Sequence, residues 1–302
     1  MSRIFTCLRP DDDAPPGAIG CDGLVPGAAL DLSHWRGNRT PLAFKADTST
    51  EIALAFIDSE QAAELADAPV VNNHFDTDGL LSVWTLLHPD AARARRELIV
   101  SAAVAGDFAE WPEDPRGVWV DAAVRRLAAD ADDDAAAYAS LLAQLPELLD
   151  TIDDRRDLWG PAQDAIDAAR VAIDDGRLQV SLLGSIGIVR HAPEVAEIPA
   201  TLLSYLLLPR CWRYLLVFEE EDGRANYRYE LPAWCWADTV VRPVMEWPES
   251  DALLGILGES WTTEDLPGLT AIVRTKEPID TQPKDVLRKV VTVDREAYAA
   301  LP

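Results

Sequence analysis

Apolar positions in the first third of the chain alternate between short runs and helical spacing. Ala28 to Leu32 and Pro69 to Val71 are short, mostly apolar runs beside polar turns, as expected for buried strands. Between them, Thr48 and Glu51 have the spacing of a capping box, and the apolar periodicity that follows predicts a helix over residues 48–67. Helical spacing returns from Gly79 to Leu87. This order of elements predicts an α/β fold for the N-terminal half.

The pattern changes near residue 97 and becomes mainly helical after residue 116. Residues Glu97 to Val104 are ambiguous between the end of a helix and a strand, and the short apolar window Leu98-Ile99-Val100 favours the strand. From Arg116 to Asp175 the chain consists largely of Ala, Leu, Asp and Arg, which predicts about three helices. The acidic run from Asp130 to Asp134 is expected to be a solvated loop between helices.

The sequence after Gly176 contains more strand-like runs of residues. Residues 178–183 and 186–190 read as strands, and residues 212–218 and 226–230 flank an Asp222-Gly223 turn, which predicts a β-hairpin. We therefore predict two domains. Residues 1–176 form an α/β half with a helical insertion, and residues 177–302 form a β-rich α+β half.

Composition excludes several classes of protein. The chain has 302 residues, 48% of them hydrophobic, and a formal net charge of −25. Such an acidic chain repels phosphate backbones and anionic lipids, so a nucleic-acid coat or a membrane-surface role is not expected. The sequence has no long apolar segment and its four cysteines form no Cys-x-x-Cys pair, which predicts a cytoplasmic protein with reduced thiols. The sequence leaves the oligomeric state open.

The segment most informative about chemistry runs from Val70 to Leu81. His74, Asp76 and Asp78 stand at alternate positions after the apolar run, and alternate residues of an extended segment point to one side. The carboxyl end of a strand is where open α/β sheets bind ligands. Mixed imidazole and carboxylate ligands suit Mn²⁺, Fe²⁺ or Zn²⁺ better than Ca²⁺. The simpler interpretation is a capped turn, with Asp78 as the N-cap of the next helix.

A calcium-binding EF-hand loop does not fit this segment. The twelfth position of a loop that begins at Asp76 is Leu87, where an EF-hand needs Glu.

The spacing His74-x-Asp76-x-Asp78-Gly79 resembles the first motif of the DHH phosphoesterase superfamily. The resemblance implies that these side chains bind a Mn²⁺ pair that clamps phosphate and activates a water. It also implies a further metal-binding Asp after the next strands, for which Asp107 is the first candidate and Asp121 the second. The chain departs from that family because it contains no Asp-His-His motif.

The segment from Phe75 to Leu81 also resembles the nucleophile motif of haloacid-dehalogenase-like phosphatases. That resemblance implies Asp76 as nucleophile and Asp78 as acid and base. It departs from the family because Asn72, Asn73 and His74 separate the strand from the first Asp. In addition, the sequence has no Lys between Lys45 and Lys276, where that family needs one.

A wider resemblance is to an uncharacterised bacterial family, mostly actinobacterial. It is carried by residues 33–35, Thr40-Pro41, residues 46–53 and residues 72–76. The resemblance brings no assigned activity, but it implies that these N-terminal segments meet at one site.

The functional prediction is a divalent-metal-dependent phosphoesterase that hydrolyses a small phosphorylated or nucleotide substrate. The predicted metal is Mn²⁺, with Mg²⁺, Fe²⁺ and Zn²⁺ as alternatives. The predicted metal ligands are His74, Asp76, Asp78 and Asp107, of which the first three are also the predicted catalytic residues. The predicted substrate contacts are His34, Arg36 and Asn73.

A prediction from another class is a non-catalytic binding or assembly protein whose site has degenerated. Under that hypothesis His34 is a packed or capping histidine, and Asp47 and Glu51 serve only the helix cap. His191 is expected in an exposed loop. The spacing of Trp234 and Trp236 predicts a strand with both indoles on one face.

Overall fold

The computed structural model describes residues 3–208, 210–243, 248–263 and 271–294. The chain forms two compact units. The first comprises Met1–Gln163 and Trp236–Val244, and the second comprises Asp164–Cys235 and Met245–Pro302. The chain first passes from one unit to the other after Gln163, within a long helix, and the predicted boundary near residue 176 follows the end of that helix.

The first unit is built on a parallel sheet of short strands. Its strands are β1 (Phe5–Cys7), β2 (Ile19–Cys21), β3 (Leu30–Leu32) and β4 (Val70–Asn72). They lie in the order β1-β4-β2-β3, and each neighbouring pair is parallel. Every residue of β2, β3 and β4 is buried, as expected when a parallel sheet is covered on both faces.

Helices make up most of the rest of this unit. They are α1 (Ser49–Ile57), α2 (Gln61–Glu64), α3 (Thr77–Leu87), α4 (Pro89–Ala94), α5 (Arg96–Phe108), α6 (Arg116–Ala128), α7 (Asp134–Thr151) and α8 (Arg156–Asp174), which leads into the second unit. Helix α3 contacts β2 and β4, and α1 and α5 pack against α3. Their shared core includes Leu54, Leu80 and Ile99, all fully buried.

The predicted helix starts are confirmed in part. The capping box of Thr48 and Glu51 forms as predicted, with both of its hydrogen bonds present. The predicted helix over residues 48–67 is interrupted after Ile57 and divides into α1 and α2.

The strand prediction for Leu98-Ile99-Val100 is wrong, because these residues lie within α5. Ile99, Ala102 and Ala103 are all fully buried, a spacing that forms one face of a helix. Packing against α3 and α6 therefore decides a segment whose short apolar window favoured a strand.

The second unit contains a mixed sheet. Its strands are β5 (Leu178–Leu183), β6 (Ile186–His191), β7 (Arg213–Glu219), β8 (Ala225–Glu230), β9 (Trp261–Thr262) and β10 (Ala271–Thr275), in the order β5-β6-β7-β8-β10-β9. Its described helices beyond α8 are α9 (Ala200–Leu207), α10 (Ser250–Leu257) and α11 (Pro283–Val293). The predicted β7–β8 hairpin is confirmed, with Gly223 at a φ of 85° in its turn. The two sheets and their helices confirm the predicted α/β class.

Two smaller predictions are wrong. Ala233–Trp236 forms a 3₁₀ turn, so Trp234 and Trp236 do not share a strand face. His191 lies in β6 and is 1% exposed, because its ring accepts the Ile198 amide and contacts the Val217 carbonyl within the sheet. Within the part of the chain that the structure describes, no helix is long and apolar enough to cross a bilayer.

Candidate metal centre

Three strands of the parallel sheet end at the same edge and deliver polar side chains there. Asp22 follows β2 directly, and His34 and His74 each stand two residues beyond the end of β3 or β4. Because neighbouring parallel strands have their carboxyl ends together, these side chains converge at one edge of the sheet.

Two helices complete the cluster from the sides. Asp76 and Asp78 lie at the start of α3, and Asp107 lies in the last turn of α5. We call the six side chains the acidic cluster: Asp22, His34, His74, Asp76, Asp78 and Asp107. All of them belong to the first unit.

The two imidazoles face the carboxylates through their Nε2 atoms. His34 Nε2 lies 3.1 Å from Asp107, 3.5 Å from Asp22 and 3.8 Å from Asp78. His74 Nε2 lies 2.8 Å from Asp22 and 3.1 Å from Asp76. Asp22 therefore stands between the two histidines, with one carboxylate oxygen toward each.

The cluster contains two overlapping groups of metal-ligand atoms. Asp22, His74 and Asp76 form one group, and Asp22, His34 and Asp78 form the other. Within each group the ligand atoms lie within 4.8 Å of one another. The described residues thus offer two neighbouring three-ligand groups that share one carboxylate.

Both histidines are oriented by contacts at Nδ1. His34 Nδ1 lies 2.6 Å from the backbone carbonyl of Asp47, which only accepts, so this nitrogen carries the proton. His74 Nδ1 lies 3.4 Å from Asn73 Oδ1. Metal-binding histidines ordinarily donate their other ring N–H in this way, which leaves Nε2 for the metal.

Asp78 is held by the start of α1. Its two carboxylate oxygens accept hydrogen bonds from the Ser49 amide at 2.7 Å and the Thr50 amide at 2.8 Å. The positive end of a helix favours a carboxylate at this position. Residues 46–53, singled out in the sequence, therefore contribute backbone groups to the cluster as well as the capping box.

Asp76 is the N-cap of α3, which corrects the expectation that Asp78 has this role. Asp76 Oδ1 accepts the Gly79 amide at 2.7 Å, while its Oδ2 faces His74. Because α3 begins at Thr77, Asp78 is already helical and the three motif residues do not alternate along one extended segment. They converge because the chain turns between His74 and Asp78.

Asp22 is the cluster member that sequence reasoning missed. Its φ of 59° is left-handed, a conformation that Asp tolerates better than most residues. Its amide donates to the Leu32 carbonyl at 2.9 Å, which ties the end of β2 to the end of β3. An Asp-Gly pair directly after the short run Ala18-Ile19-Gly20-Cys21 was the available signal.

Two glycines allow the backbone to approach the cluster. A Cβ on Gly79 would lie 2.8 Å from Asn72 Nδ2 and from the Tyr138 hydroxyl, and 2.9 Å from Asp22 Oδ2. A Cβ on Gly23 would lie 2.1 Å from Asn73 Oδ1. Side chains are therefore excluded at both positions by the groups that line the cluster.

Tyr138, on α7, supports the cluster from behind and was not foreseen from the sequence. Its hydroxyl donates to the His74 carbonyl at 3.1 Å and accepts from Asn72 Nδ2 at 2.8 Å. Asn72 Oδ1 in turn accepts the Asn73 amide at 2.7 Å. The backbone around His74 is thus fixed by a buried hydrogen-bond network.

The electrostatics of the histidines reflect their carboxylate neighbours. Burial by itself lowers the pKa of His34, but Asp107, Asp78 and Asp22 overcome this effect and raise it to about 10. For His74, Asp22 and Asp76 likewise outweigh burial and raise the pKa to about 11. Both imidazoles are therefore cationic at neutral pH and offset the charge of the carboxylates beside them.

The carboxylates show the complementary effect. Burial, followed by the charges of Asp22 and Asp107, raises the pKa of Asp78. Burial and the charge of Asp76 raise the pKa of Asp107 to about 7. Mutual repulsion in a buried volume is the reason, since a carboxylate beside like charges favours its neutral form.

Several atoms of the cluster are buried without a hydrogen bond. They are both carboxylate oxygens of Asp22, Asp107 Oδ2 and His34 Nε2. Buried polar atoms rarely lack partners, and the exceptions are explained by a functional role or by an absent water or ion. Oxygen and imidazole atoms aimed at one another match the ligand preferences of a divalent cation.

The cluster has a closed side and an open side. The side chains of His34, Asp22 and Asp78 are at most 1% exposed, whereas those of His74 and Asp76 are 24% and 37% exposed. The cluster is therefore accessible to solvent from the side of His74 and Asp76.

The remaining predicted residues lie as follows. Asn73 Nδ2 donates to the Leu24 carbonyl, beside the ring of His74. Arg36 is exposed, and its charge contributes, after that of Lys45, to the lowered pKa of Asp238. Asp121 lies on α6 and accepts the Thr77 hydroxyl at 2.6 Å.

Two indoles stand beside the histidines. The ring centroids of Trp35 and His74 lie 4.9 Å apart, and those of Trp236 and His34 lie 5.0 Å apart with the two rings nearly perpendicular. Both indoles are half-buried. They fix the planes of the imidazoles by packing.

Comparisons with known proteins give one structural similarity and one family. The solved structure of the pGpG-specific phosphodiesterase PggH from Vibrio cholerae is similar with a TM-score of 0.45 and 14% identity, over 94% of this chain and 86% of that one. This similarity is too low to transfer an activity. No curated protein matches significantly. A family model, described as a family of unknown function (DUF6687), matches residues 1–285, and the chain therefore belongs to that family.

Proposed function

We propose that this protein is a divalent-metal-dependent phosphoesterase that acts on a small phosphorylated or nucleotide substrate. The observation that carries the proposal is the pair of three-ligand groups that share Asp22. Paired metal ions about 3.5–4 Å apart, bridged by the protein, are a recurring device for in-line displacement at phosphorus. The DHH-like spacing of His74, Asp76 and Asp78 supports the same assignment.

The composition of the cluster favours hard or intermediate cations. Four carboxylates and two imidazoles surround the site, with no thiolate among the six. Carboxylate-rich sites with some imidazole suit Mn²⁺, with Mg²⁺, Fe²⁺ and Zn²⁺ as alternatives. We assign His34 to the metal ligands, beside the four predicted from the sequence, because its Nε2 faces three of the carboxylates.

The protein groups have distinct tasks in this proposal. Bound divalent cations neutralise phosphate charge and lower the pKa of water. Asp22 bridges the two ligand groups, the amides of Ser49 and Thr50 fix Asp78, and the Asp47 carbonyl fixes His34. On the open side, His74 and Asp76 are the more exposed of the proposed ligands and the ones that a substrate would meet first.

The test is metal content measured together with hydrolysis. Wild-type protein is loaded with Mn²⁺, desalted and analysed for metal, and phosphomonoesters and phosphodiesters are then screened as substrates. We expect about two Mn²⁺ per chain if both groups fill. Asp22→Asn should lower the content below one and abolish hydrolysis, because it weakens both groups. Asp114→Asn is the matched control, since Asp114 is 9% exposed and pairs with Arg116 outside the cluster.

The outcomes separate the competing hypotheses. Negligible metal in the loaded wild type would contradict the proposal outright. Stoichiometric metal without turnover of any ester would instead support the non-catalytic binding protein. An equal loss of Mn²⁺ in Asp22→Asn and Asp114→Asn would mean that the metal content depends on the folding of the protein and not on the cluster itself.

A further inference from the structure

Helix α6 carries a network that contacts residues next to the cluster carboxylates Asp76, Asp78 and Asp107. Asp121 Oδ1 accepts the Thr77 hydroxyl at 2.6 Å, and Thr77 stands between Asp76 and Asp78 in the chain. One turn further along α6, Arg125 Nη2 donates to the Gly106 carbonyl at 2.8 Å, and Gly106 directly precedes Asp107. The network therefore joins both helices that supply cluster carboxylates.

Close packing holds this network in place. A Cβ on Gly106 would lie 2.8 Å from Asp121 Oδ1 and 2.9 Å from the Thr77 Cβ. Only a glycine lets α6 approach so near. The guanidinium of Arg125 is fixed within the network, because its Nε lies 2.9 Å from both carboxylate oxygens of Asp121.

Arg125 nevertheless has donor capacity left. Its Nε and Nη2 are used by Asp121 and Gly106, while its Nη1 donates no hydrogen bond to any described residue. The side chain is 63% exposed, whereas that of Asp121 is only 14% exposed. The pKa of Arg125 is raised chiefly by Asp121, and the charges of Asp76 and Asp107 contribute to the rise.

We propose that Arg125 is a substrate-binding residue that receives the phosphate group through its free Nη1 at the open side of the cluster. The inference rests on the proposed phosphoesterase function and adds a specificity residue to it. A phosphate that approaches from the side of His74 and Asp76 meets four carboxylates, so binding needs a cationic donor beside the metals. A guanidinium fixed by Asp121 loses little side-chain entropy when it binds an oxyanion.

In the sequence, no Lys or Arg lies between Lys45 and Arg93, around the His74 motif, so a cationic substrate contact must come from elsewhere in the chain. Arg39, one of the cations near His34, is engaged with Asp31 at 2.9 Å. Arg125 lies far from the motif in sequence, and the packing of α6 against α5 and α3 brings it near the motif.

The test is calorimetric binding of inorganic phosphate to the Mn²⁺-loaded full chain. The variants are Arg125→Ala, Arg125→Lys and, as a matched control, Arg126→Ala, at the adjacent and likewise exposed arginine of the same helix. We expect Arg125→Ala to weaken phosphate binding about tenfold to a hundredfold, as for loss of a charge-assisted hydrogen bond. Arg125→Lys should recover part of the loss, and Arg126→Ala should bind as the wild type does.

Metal content and melting temperature are measured on every variant. Unchanged Mn²⁺ content with weakened phosphate binding supports the inference. Wild-type phosphate affinity in Arg125→Ala, or equal weakening in Arg126→Ala, would overturn it and leave the metal site standing. A wild type that binds no Mn²⁺ would overturn the proposed function itself, which is a separate result. If Arg125→Ala melts early, Arg125→Gln, which keeps a donor toward Gly106, must show the same loss of affinity.

Discussion

At the scale of single residues, side chains of the same type have different roles in the cluster because they contact different groups. Asp22 and Asp78 are both buried carboxylates, yet Asp78 accepts two amides from α1 whereas Asp22 faces two imidazoles. The first is fixed by backbone amides, whereas the charges of His74 and His34 outweigh burial at the second and lower its pKa. Asp22 is therefore the carboxylate that the two imidazoles share.

A residue-scale prediction concerns Gly79, which lies in α3. Replacing a helical Gly with Ala normally stabilises a helix by up to about 1 kcal/mol. Here the new Cβ would lie 2.8 Å from Asn72 and Tyr138, so we expect Gly79→Ala to lower the free energy of unfolding by about 1–3 kcal/mol. It should also weaken Mn²⁺ binding, because Asp22 Oδ2 must move.

Gly255→Ala on α10 is the control for this prediction, since nothing lies within 4 Å of its Cβ. Urea denaturation of both variants compares their stabilities. We expect Gly255→Ala to raise the free energy of unfolding. If Gly79→Ala raised it as well, the close contacts at the start of α3 would not destabilise the variant, and the prediction would be wrong.

At the scale of elements, the segment Trp236–Val244 belongs to the first unit although its flanks belong to the second. The Asp47 carboxylate holds it through the amides of Val241, at 2.9 Å, and Val240, and through the Arg242 guanidinium at 2.6 Å. The same residue holds His34 through its carbonyl. Asp47 thus links this segment to the cluster, beyond its place before the helix cap.

The element-scale prediction is a pH dependence of stability through Asp47. Burial alone raises its pKa, but the amides of Val241 and Val240 and the charge of Arg242 outweigh burial, and the pKa in the folded protein is lowered. The unfolded chain therefore takes up the proton first, near the ordinary value of about 3.9. The stabilisation by Asp47 is fully present above that pH and is lost as the pH falls toward the folded pKa.

We expect Asp47→Asn to reduce the free energy of unfolding at pH 7 by about 2–4 kcal/mol, with a smaller difference from wild type at pH 3. Chemical denaturation across this range measures the difference. Asp58→Asn is the control, because the Asp58 side chain is 44% exposed and its ion pairs with Arg93 and Arg96 should contribute at most about 1 kcal/mol. A difference for Asp47→Asn that does not shrink on acidification would contradict the proposed linkage.

At the scale of the whole molecule, a net charge of −25 makes weak, non-specific cation binding unavoidable. Specific metal binding must be distinguished from this background by the size of its stabilising effect and by its dependence on the side chains of the cluster. Binding to the folded state alone stabilises by RT ln(1 + [L]/Kd), which is about 2.7 kcal/mol at a hundredfold excess over Kd.

The whole-molecule prediction is a rise in melting temperature with Mn²⁺ that is reversed by a chelator. The rise should exceed that produced by Ca²⁺ at the same concentration, because imidazole ligands disfavour Ca²⁺. In Asp22→Asn the two cations should produce the same small rise. Scanning calorimetry checks this, and an undiminished Mn²⁺ effect in Asp22→Asn would place the bound metal elsewhere.

Local signals in the sequence were sufficient for several elements. The capping box at Thr48, the hairpin turn at Gly223 and the helices after Arg116 depend on interactions within a few residues. The predictions that were wrong concern segments whose structure depends on contacts with residues distant in the sequence. Leu98 to Val100 became helical through packing on α3 and α6, and His191 was placed in a buried strand by partners in β7 and in the loop after β6.

The sequence by itself determined that His74, Asp76 and Asp78 would be a polar, ligand-rich turn after a strand, because these residues are neighbours in the chain. The resemblances to known families anticipated His34 and Asp107 near this turn, but only the tertiary structure showed the contacts that they make and added Asp22. Three of the cluster side chains come from the ends of adjacent parallel strands, and strand order in a parallel sheet is set by crossover connections rather than by local pattern. A site assembled from such strand ends is encoded along the chain but becomes visible only when the sheet forms.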